Sequence, residues 1–197
     1  CRDNYGVLWI GTEDGGLNRF NLNTKEFSFF APSAGFTNIH GLCLVDDKLW
    51  VGTFSKGLKI IDTRTGTVLK TYQKNSSPRS LIDNSIFAIC RTATGDIYLG
   101  TMFGLVKYNK QSDDFDRIPE LNGKFVYDIK EDSGGNIWLA TYANGAYCYN
   151  VNDRKWKNYV HDEKDTTSLS YNKVSSIFED SYHRIWLTTQ GGGFCLF

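Results

Sequence analysis

Asp132-Ser133-Gly134-Gly135-Asn136-Ile137-Trp138-Leu139-Ala140-Thr141 reads as a turn followed by a short strand that carries a Trp, and Tyr142-Ala143-Asn144-Gly145 supplies a second tight turn before another apolar run. The unit returns four more times. Its copies are Leu8-Trp9-Ile10-Gly11-Thr12, Leu49-Trp50-Val51-Gly52-Thr53, Ile97-Tyr98-Leu99-Gly100-Thr101 and Ile185-Trp186-Leu187-Thr188-Thr189. The anchors Trp9, Trp50, Tyr98, Trp138 and Trp186 are spaced by 41, 48, 40 and 48 residues, and every copy keeps its Thr. A fixed period of this length makes the chain an array of one structural unit.

Each unit parses into four short strands, a to d. Strand a is an apolar stretch such as Ile86-Phe87-Ala88-Ile89 or Val126-Tyr127-Asp128-Ile129, strand b holds the anchor, and strand c runs from Leu17 to Phe20, Leu58 to Ile61, Leu105 to Tyr108 and Ala146 to Tyr149. Strand d follows an Asn or Asp turn, at Phe27 to Phe30, Val68 to Tyr72, Phe115 to Ile118 and Trp156 to Tyr159. The a–b turns Asp3-Asn4-Tyr5-Gly6 and Asp132-Ser133-Gly134-Gly135 open with Asp and close with Gly, as tight hairpins with a residue at positive φ require. No useful window has helical periodicity. A four-stranded antiparallel unit with a period near ~45 residues is the signature of a β-propeller blade. The expected fold is therefore all-β: a propeller segment of three full blades plus two partial ones, with blades at roughly 1–34 (partial), 35–80, 81–120, 121–165 and 166–197 (partial). Both ends supply strands b and c, so they do not complete one another. That overlap makes the chain an expected segment of a larger propeller with exposed edges, and the missing initiator Met reads as an excised piece or a processed chain.

Composition narrows the function. Lys and Arg number 22, as do Asp and Glu, so there is no field that argues for nucleic acid or an anionic membrane surface. No apolar run of membrane-spanning length is present, and the stretch from Cys1-Arg2-Asp3-Asn4 does not read as a signal peptide. The five Cys form no CxxC pair and read as small buried hydrophobes rather than a disulfide frame or zinc site. Cys1 and Cys90 lie eight residues before their anchors and Cys43 seven, which gives all three the same blade position.

The signature Asp-x-x-Gly-x-Leu/Ile-Trp-Ile/Leu-Gly-Thr, then Gly-Gly-Leu and an aromatic-Asn pair, resembles the two-component regulator propeller repeat. Asp3, Gly6, Trp9, Gly11, Thr12, Gly15, Gly16, Leu17, Phe20 and Asn21 match it, as do Asp132, Gly135, Trp138, Thr141, Gly145, Tyr149 and Asn150. Ser168-Leu169-Ser170-Tyr171-Asn172-Lys173-Val174 matches a second hallmark, Ser-Leu-Ser-x-Asn-x-Val. Departures are local: Tyr98 for Trp, Thr92 for the turn Asp, His183 for the turn Gly, and Ala140 and Thr188 for the Gly before Thr. The resemblance implies the periplasmic sensor region of a hybrid two-component system of the gut Bacteroidetes type. In that architecture the propellers precede a β-sandwich linker, a membrane helix, a histidine kinase and a DNA-binding regulator, and the full-length form is a homodimer. The implied signal is an oligosaccharide released from a glycan, sensed without turnover and without a cofactor.

Catalytic signals are sparse. His40, His161 and His183 lie in different blades without metal spacing, and no nucleophile elbow, zinc motif or phosphate-cradling loop occurs. Neither catalytic nor metal-binding residues are assigned. Glu131-Asp132 and Glu179-Asp180 read as side chains that hold a turn through its own backbone. The Trp row reads as packing between blades, so ligand contacts are sought in what differs between copies. Strand alternation puts the b–c turns and the d–a connections at one end. The residues varying there are Glu13 and Asp14, Phe54 and Lys56, Met102 and Phe103, Tyr142 and Asn144, and Gln190, with Arg79 on the long connection 73–84. Aromatic rings among amides, acids and an Arg suit a neutral or acidic sugar. The rival readings are a propeller lyase of the streptogramin type, which needs a His and acidic metal cluster on one face, and a protein-interaction scaffold.

Overall fold

A computed structural model describes residues 1–30 and 38–197, and it is a row of five antiparallel sheets. The strands are β1 (Val7–Gly11), β2 (Leu17–Asn21), β3 (Phe27–Phe29), β4 (Ile39–Val45), β5 (Lys48–Thr53), β6 (Leu58–Asp62), β7 (Val68–Tyr72), β8 (Ile86–Arg91) and β9 (Ile97–Thr101). They continue as β10 (Gly104–Asn109), β11 (Asp114–Arg117), β12 (Val126–Glu131), β13 (Ile137–Thr141), β14 (Ala146–Asn150), β15 (Lys155–Tyr159), β16 (Val174–Glu179), β17 (Ile185–Thr189) and β18 (Gly193–Leu196). Strands β4–β7, β8–β11 and β12–β15 form four-stranded meanders, and β1–β3 and β16–β18 form three-stranded ones. The anchor sits on the second strand of each full sheet, as expected. Among the described residues, a 3-10 turn, Pro119–Leu121, interrupts the third connection. The expected boundary at 34/35 lies outside the described residues.

The first strands β4, β8, β12 and β16 lie beside one another, so consecutive sheets meet along their inner edges and stack face to face. Each hydrophobic cluster spans two successive sheets. Trp50, Leu58 and Ile60 of one pack with Leu81, Ile86, Leu99 and Phe115 of the next, and Trp138 and Ala146 pack with Leu169, Val174 and Leu187. The repeated Trp is therefore interblade packing. A strand face has no core of its own here; it is buried by its neighbour.

The other repeated residues explain themselves in the same geometry. The Thr closing each anchor strand donates its hydroxyl to a carbonyl across the b–c turn: Thr12 to Gly16, Thr53 to Gly57, Thr101 to Gly104, Thr141 to Gly145 and Thr189 to Gly193, at 2.6 to 3.1 Å. The Gly before it admits the next blade. A Cβ on Gly11, Gly52 or Gly100 would stand 2.5, 2.7 or 2.7 Å from a methyl of Ile39, Ile86 or Val126, the first residue of the following sheet.

At the a–b turns, Asp3, Asp132 and Asp180 accept backbone N–H bonds within the turn, as the sequence suggests. The adjacent glutamates do something else. Glu131 accepts from the N–H of Ala93 at 2.7 Å, and Glu179 from the N–H of Ser133 at 2.9 Å, each in the preceding sheet's turn. The expectation that both carboxylates of each pair hold their own turn is thus corrected: the Asp does, while the Glu points along the strand edge and ties two sheets together. Arg91, at the same position of the third sheet, does so by pairing with Asp46 of the second.

The cysteines need a second correction. Cys43 and Cys90 pair across from Trp50 and Tyr98, and Cys1 exchanges backbone bonds with Trp9, so the shared register holds. Cys148 alone is buried, however; Cys43, Cys90 and Cys195 are half-buried and Cys1 is exposed. Cys43 and Cys90 stand near the a–b turn end of the inner strands β4 and β8, and Cys195 on the last strand, β18, where cover is incomplete. Burial still pushes the Cys43 and Cys90 thiols above the ordinary range and that of Cys148 to about 11, which makes them poor nucleophiles.

Candidate aromatic site on the inner strands

Every described first strand carries a β-bulge at its second residue. Register slips by one between Ile39 and Gly41, Ile86 and Ala88, Val126 and Asp128, and Val174 and Ser176. The extra residues are His40, Phe87, Tyr127 and Ser175. A bulge leaves its residue out of the ladder and re-aims the side chain, and three of these four are aromatic rings.

The bulged side chains meet across the sheets. The His40 and Phe87 rings stack with centroids 4.6 Å apart, and Phe87 lies 5.6 Å from Tyr127. Phe125, just before β12, sits 4.4 Å from Phe87 and 4.9 Å from Tyr127. It also stacks on Tyr142 at 5.5 Å with ring planes 21° apart. Phe54 closes the other end, edge-on to Phe87 at 6.3 Å. At the Tyr142 end the Lys173 ammonium lies 4.1 Å from the ring centroid, a cation–π contact. The result is a continuous crescent over four sheets, from Phe54 and His40 to Tyr142 and Lys173.

Backbone bonds fix the turn residues to this crescent. The first residue of each b–c turn donates its N–H to the residue preceding its own first strand: Phe54 to Asn38, Met102 to Ser85, Tyr142 to Phe125 and Gln190 to Lys173, at 2.8 to 3.1 Å. The long connections come to the same end, since Gly57 and Gly145 donate to Asn84 and Asn172, both at 2.9 Å. Two equivalent asparagines then fold the connections back, Asn84 accepting from Lys74 and Asn172 from His161.

The sequence-predicted residues divide accordingly. Phe54 and Tyr142 belong to the crescent and are 39% and 43% exposed. Gln190 occupies the equivalent place in the last sheet and is exposed. Lys56 and Asn144 stand in the same turns, with the Asn144 N–H bonded to the Thr141 hydroxyl. Phe103 is exposed at its turn and makes no ring contact with the described residues. Glu13 and Asp14 are at the exposed tip of the first sheet. Arg79 is placed elsewhere: its guanidinium grips Asp114, at 2.5 and 2.8 Å, and Asp116, at 3.0 Å, on β11, the outermost strand of its sheet. His40, Phe87, Phe125, Tyr127 and Lys173 are not among the residues that the sequence singles out as ligand contacts; it places Phe87 and Tyr127 only within the apolar stretch of strand a. The signal was an aromatic at the second position of that strand.

Electrostatically the crescent is nearly neutral. Asp128, beside it, is occupied in holding β16, accepting from the Ser176 hydroxyl and the Ile177 N–H, both at 3.0 Å. The three histidines are far apart in function: His40 in the crescent, His161 bonded to the Leu169 carbonyl at 2.7 Å, and His183 in an a–b turn beside Glu179. Among the described residues no three His, Cys, Asp or Glu gather as metal ligands.

Comparison with known proteins follows this geometry. A family model described as two component regulator propeller matches residues 80–103, 120–143 and 168–191. A histidine kinase P4 of Formosa agariphila is 30% identical over 190 residues, which span 94% of this chain and 11% of that protein. The chain thus spans about a tenth of the length of this curated relative. Among solved structures, the extracellular domain of the hybrid two component system BT3049 from B. thetaiotaomicron aligns with a TM-score of 0.63 and 21% identity, over 98% of this chain and 32% of that one. PorZ of Porphyromonas gingivalis aligns at 0.75 and 18%, over 100% and 31%. Virginiamycin B lyase from Staphylococcus aureus aligns at 0.70 and 14%, over 100% and 68%. At these identities the structural likenesses establish the propeller fold, which hosts a sensor, a secretion component and a lyase alike.

Proposed function

Because the chain is built of two-component regulator propeller repeats, we propose that it is an extracytoplasmic ligand-sensing segment of a hybrid two-component system and that its ligand is an oligosaccharide. The observation that carries this reading is the continuous aromatic crescent on the bulged inner strands. Rings that pack against one another yet stay partly open give sugar C–H faces a rigid platform at small entropic cost. The relatives support the setting: a histidine kinase and the extracellular domain of a hybrid two component system. Sensing is by binding without turnover. A sugar that spans sheets two to five favours one arrangement of propeller and partner domains over another, and it shifts that equilibrium only by its difference in affinity for the two.

The remaining blades, a β-sandwich linker, membrane anchoring outside this segment, a periplasmic location and dimerisation of the full-length protein belong to the same proposal. Calorimetric titration of the intact extracytoplasmic region with a panel of glycan-derived oligosaccharides tests it. Saturable binding that is lost on Phe87→Ala supports the reading. Failure of every glycan, together with a tight protein partner, replaces it with an interaction scaffold; turnover of a substrate replaces it with a lyase.

A further inference from the structure

The second and third sheets break the repeat together, at the end of the propeller opposite the crescent. In the first, fourth and fifth sheets the anchor indole donates to the turn Asp six residues upstream: Trp9 to Asp3, Trp138 to Asp132 and Trp186 to Asp180, at 2.8 to 2.9 Å. In the second sheet a two-residue turn, Asp46-Asp47, replaces that loop. Its carboxylates face outward, Asp46 to Arg91 and Asp47 to Asn4 and Arg64. Trp50, only 5% exposed, keeps an indole N–H for which the described residues provide no acceptor. Among the described residues the side-chain polar atoms sealed from solvent without a partner are Arg19 Nε, Asn38 Oδ1 and Arg117 Nε, so Trp50 Nε1 keeps access to solvent. In the third sheet Thr92 and Tyr98 stand where Asp and Trp would.

A cleft of about 740 Å³ opens between these two sheets, with Trp50 and Tyr108 in its wall. Its acids are already matched: Asp46 by Arg91, Asp96 by Lys107 at 2.7 Å and Asp116 by Arg79. Lys48 and Lys110 on the rim make no ion pair with the described residues. An unused donor on a nine-tenths-buried ring, aromatic walls and two unmatched ammonium groups ask for one kind of occupant.

We propose that this cleft is a second ligand site, independent of the crescent, for a small sugar bearing a carboxylate or sulfate. The anion accepts from Trp50 Nε1 and is held by Lys48 and Lys110, while the sugar ring lies against Tyr108. Lysine-directed footprinting of the intact protein, read by mass spectrometry, tests it alongside calorimetry with glucuronate, glucose 6-sulfate and glucose. Glucuronate or the sulfate, or both, should protect Lys48 and Lys110 severalfold, and glucose should not; which acid works identifies the anion. Trp50→Phe, which keeps the packing ring and deletes the donor, should weaken binding roughly tenfold or more, as loss of a hydrogen bond to a charged group does. Lys48→Ala with Lys110→Ala, both on the exposed rim, should abolish it without touching the core. Equal protection by glucose, no protection by either acid up to about 10 mM (a Kd weaker than about −3 kcal/mol of binding), or undiminished binding in the double Lys variant overturns the assignment.

Discussion

Trp138 Nε1 and Asp132 Oδ2 lie 2.8 Å apart, and the same carboxylate also takes the Asn136 side-chain amide while its other oxygen takes the Asn136 N–H. One aspartate thus fixes the turn and the interblade Trp at once. Asp132→Ala strands an indole donor and a turn N–H in a partly buried place, and should destabilise the protein by about 2 kcal/mol. Asp132→Asn should cost less, because one oxygen remains. Urea unfolding of the two variants is the comparison to make.

Tyr98 and Thr92 depart from the repeat as a pair, so their roles should be coupled. Tyr98→Trp alone brings in an indole N–H with no turn carboxylate, and Thr92→Asp alone brings in a carboxylate with no indole. Together they rebuild the bond seen in three other sheets. A double-mutant cycle should show a favourable coupling of about 1 kcal/mol or more; additivity would show that Thr92 and Tyr98 act separately.

Gly52 faces the Ile86 methyl at 2.7 Å and the Ile86 carbonyl at 3.0 Å from where its Cβ would be. Gly52→Ala must push the third sheet away and should cost about 1–3 kcal/mol. The fourth junction is already fitted to a methyl, with Ala140 fully buried beside Val174. Ala140→Gly is expected to lose about 1 kcal/mol there. Thermal melts of the two variants read this opposition directly.

Asp113 accepts from Lys70, Tyr72 and Tyr108. These bonds, that from Lys70 first, hold its carboxyl at about 2, and the Trp186 indole holds Asp180 well below the usual carboxylate range. A carboxyl lowered on folding contributes stability that is complete above its unfolded value of about 4 and is lost as pH falls through the folded value. Melting temperature should therefore fall most steeply between about pH 4 and pH 2. Asp113→Asn should flatten part of that fall.

Tyr142 is partly open, and its ring stacks on Phe125 under the Lys173 ammonium. Tyr142→Ala should leave unfolding midpoints nearly unchanged and weaken oligosaccharide binding about tenfold, the worth of one aromatic stacking contact. Calorimetry of this variant beside the wild type separates platform from scaffold.

The scaffold was legible because each recurrent residue does the same job wherever it recurs. Thr at the end of the anchor strand closes a turn, Gly before it admits the next sheet, and Trp fills the gap between sheets; repetition alone identifies such roles. Phe54 and Tyr142 were legible as departures from the repeat. His40, Phe87 and Tyr127 were not, because alternation assigns a strand residue to one face or the other, whereas a bulge removes it from the alternation altogether. Arg79 misled for a different reason: Asp114 and Asp116 that bind it are 35 and 37 residues away on an outer strand, and composition does not reveal such pairing. The interblade reach of Glu131 and Glu179 was hidden likewise, since each lies beside an Asp that does hold its own turn.

Each hydrophobic cluster belongs to two sheets and to neither alone. The unit of cooperativity is therefore the junction, and melting an inner blade removes two cores at once. The same sharing sets the grammar by which such a chain lengthens. A whole period of about 45 residues duplicates a complete junction and leaves the others intact, whereas half a period would strand a Trp against nothing.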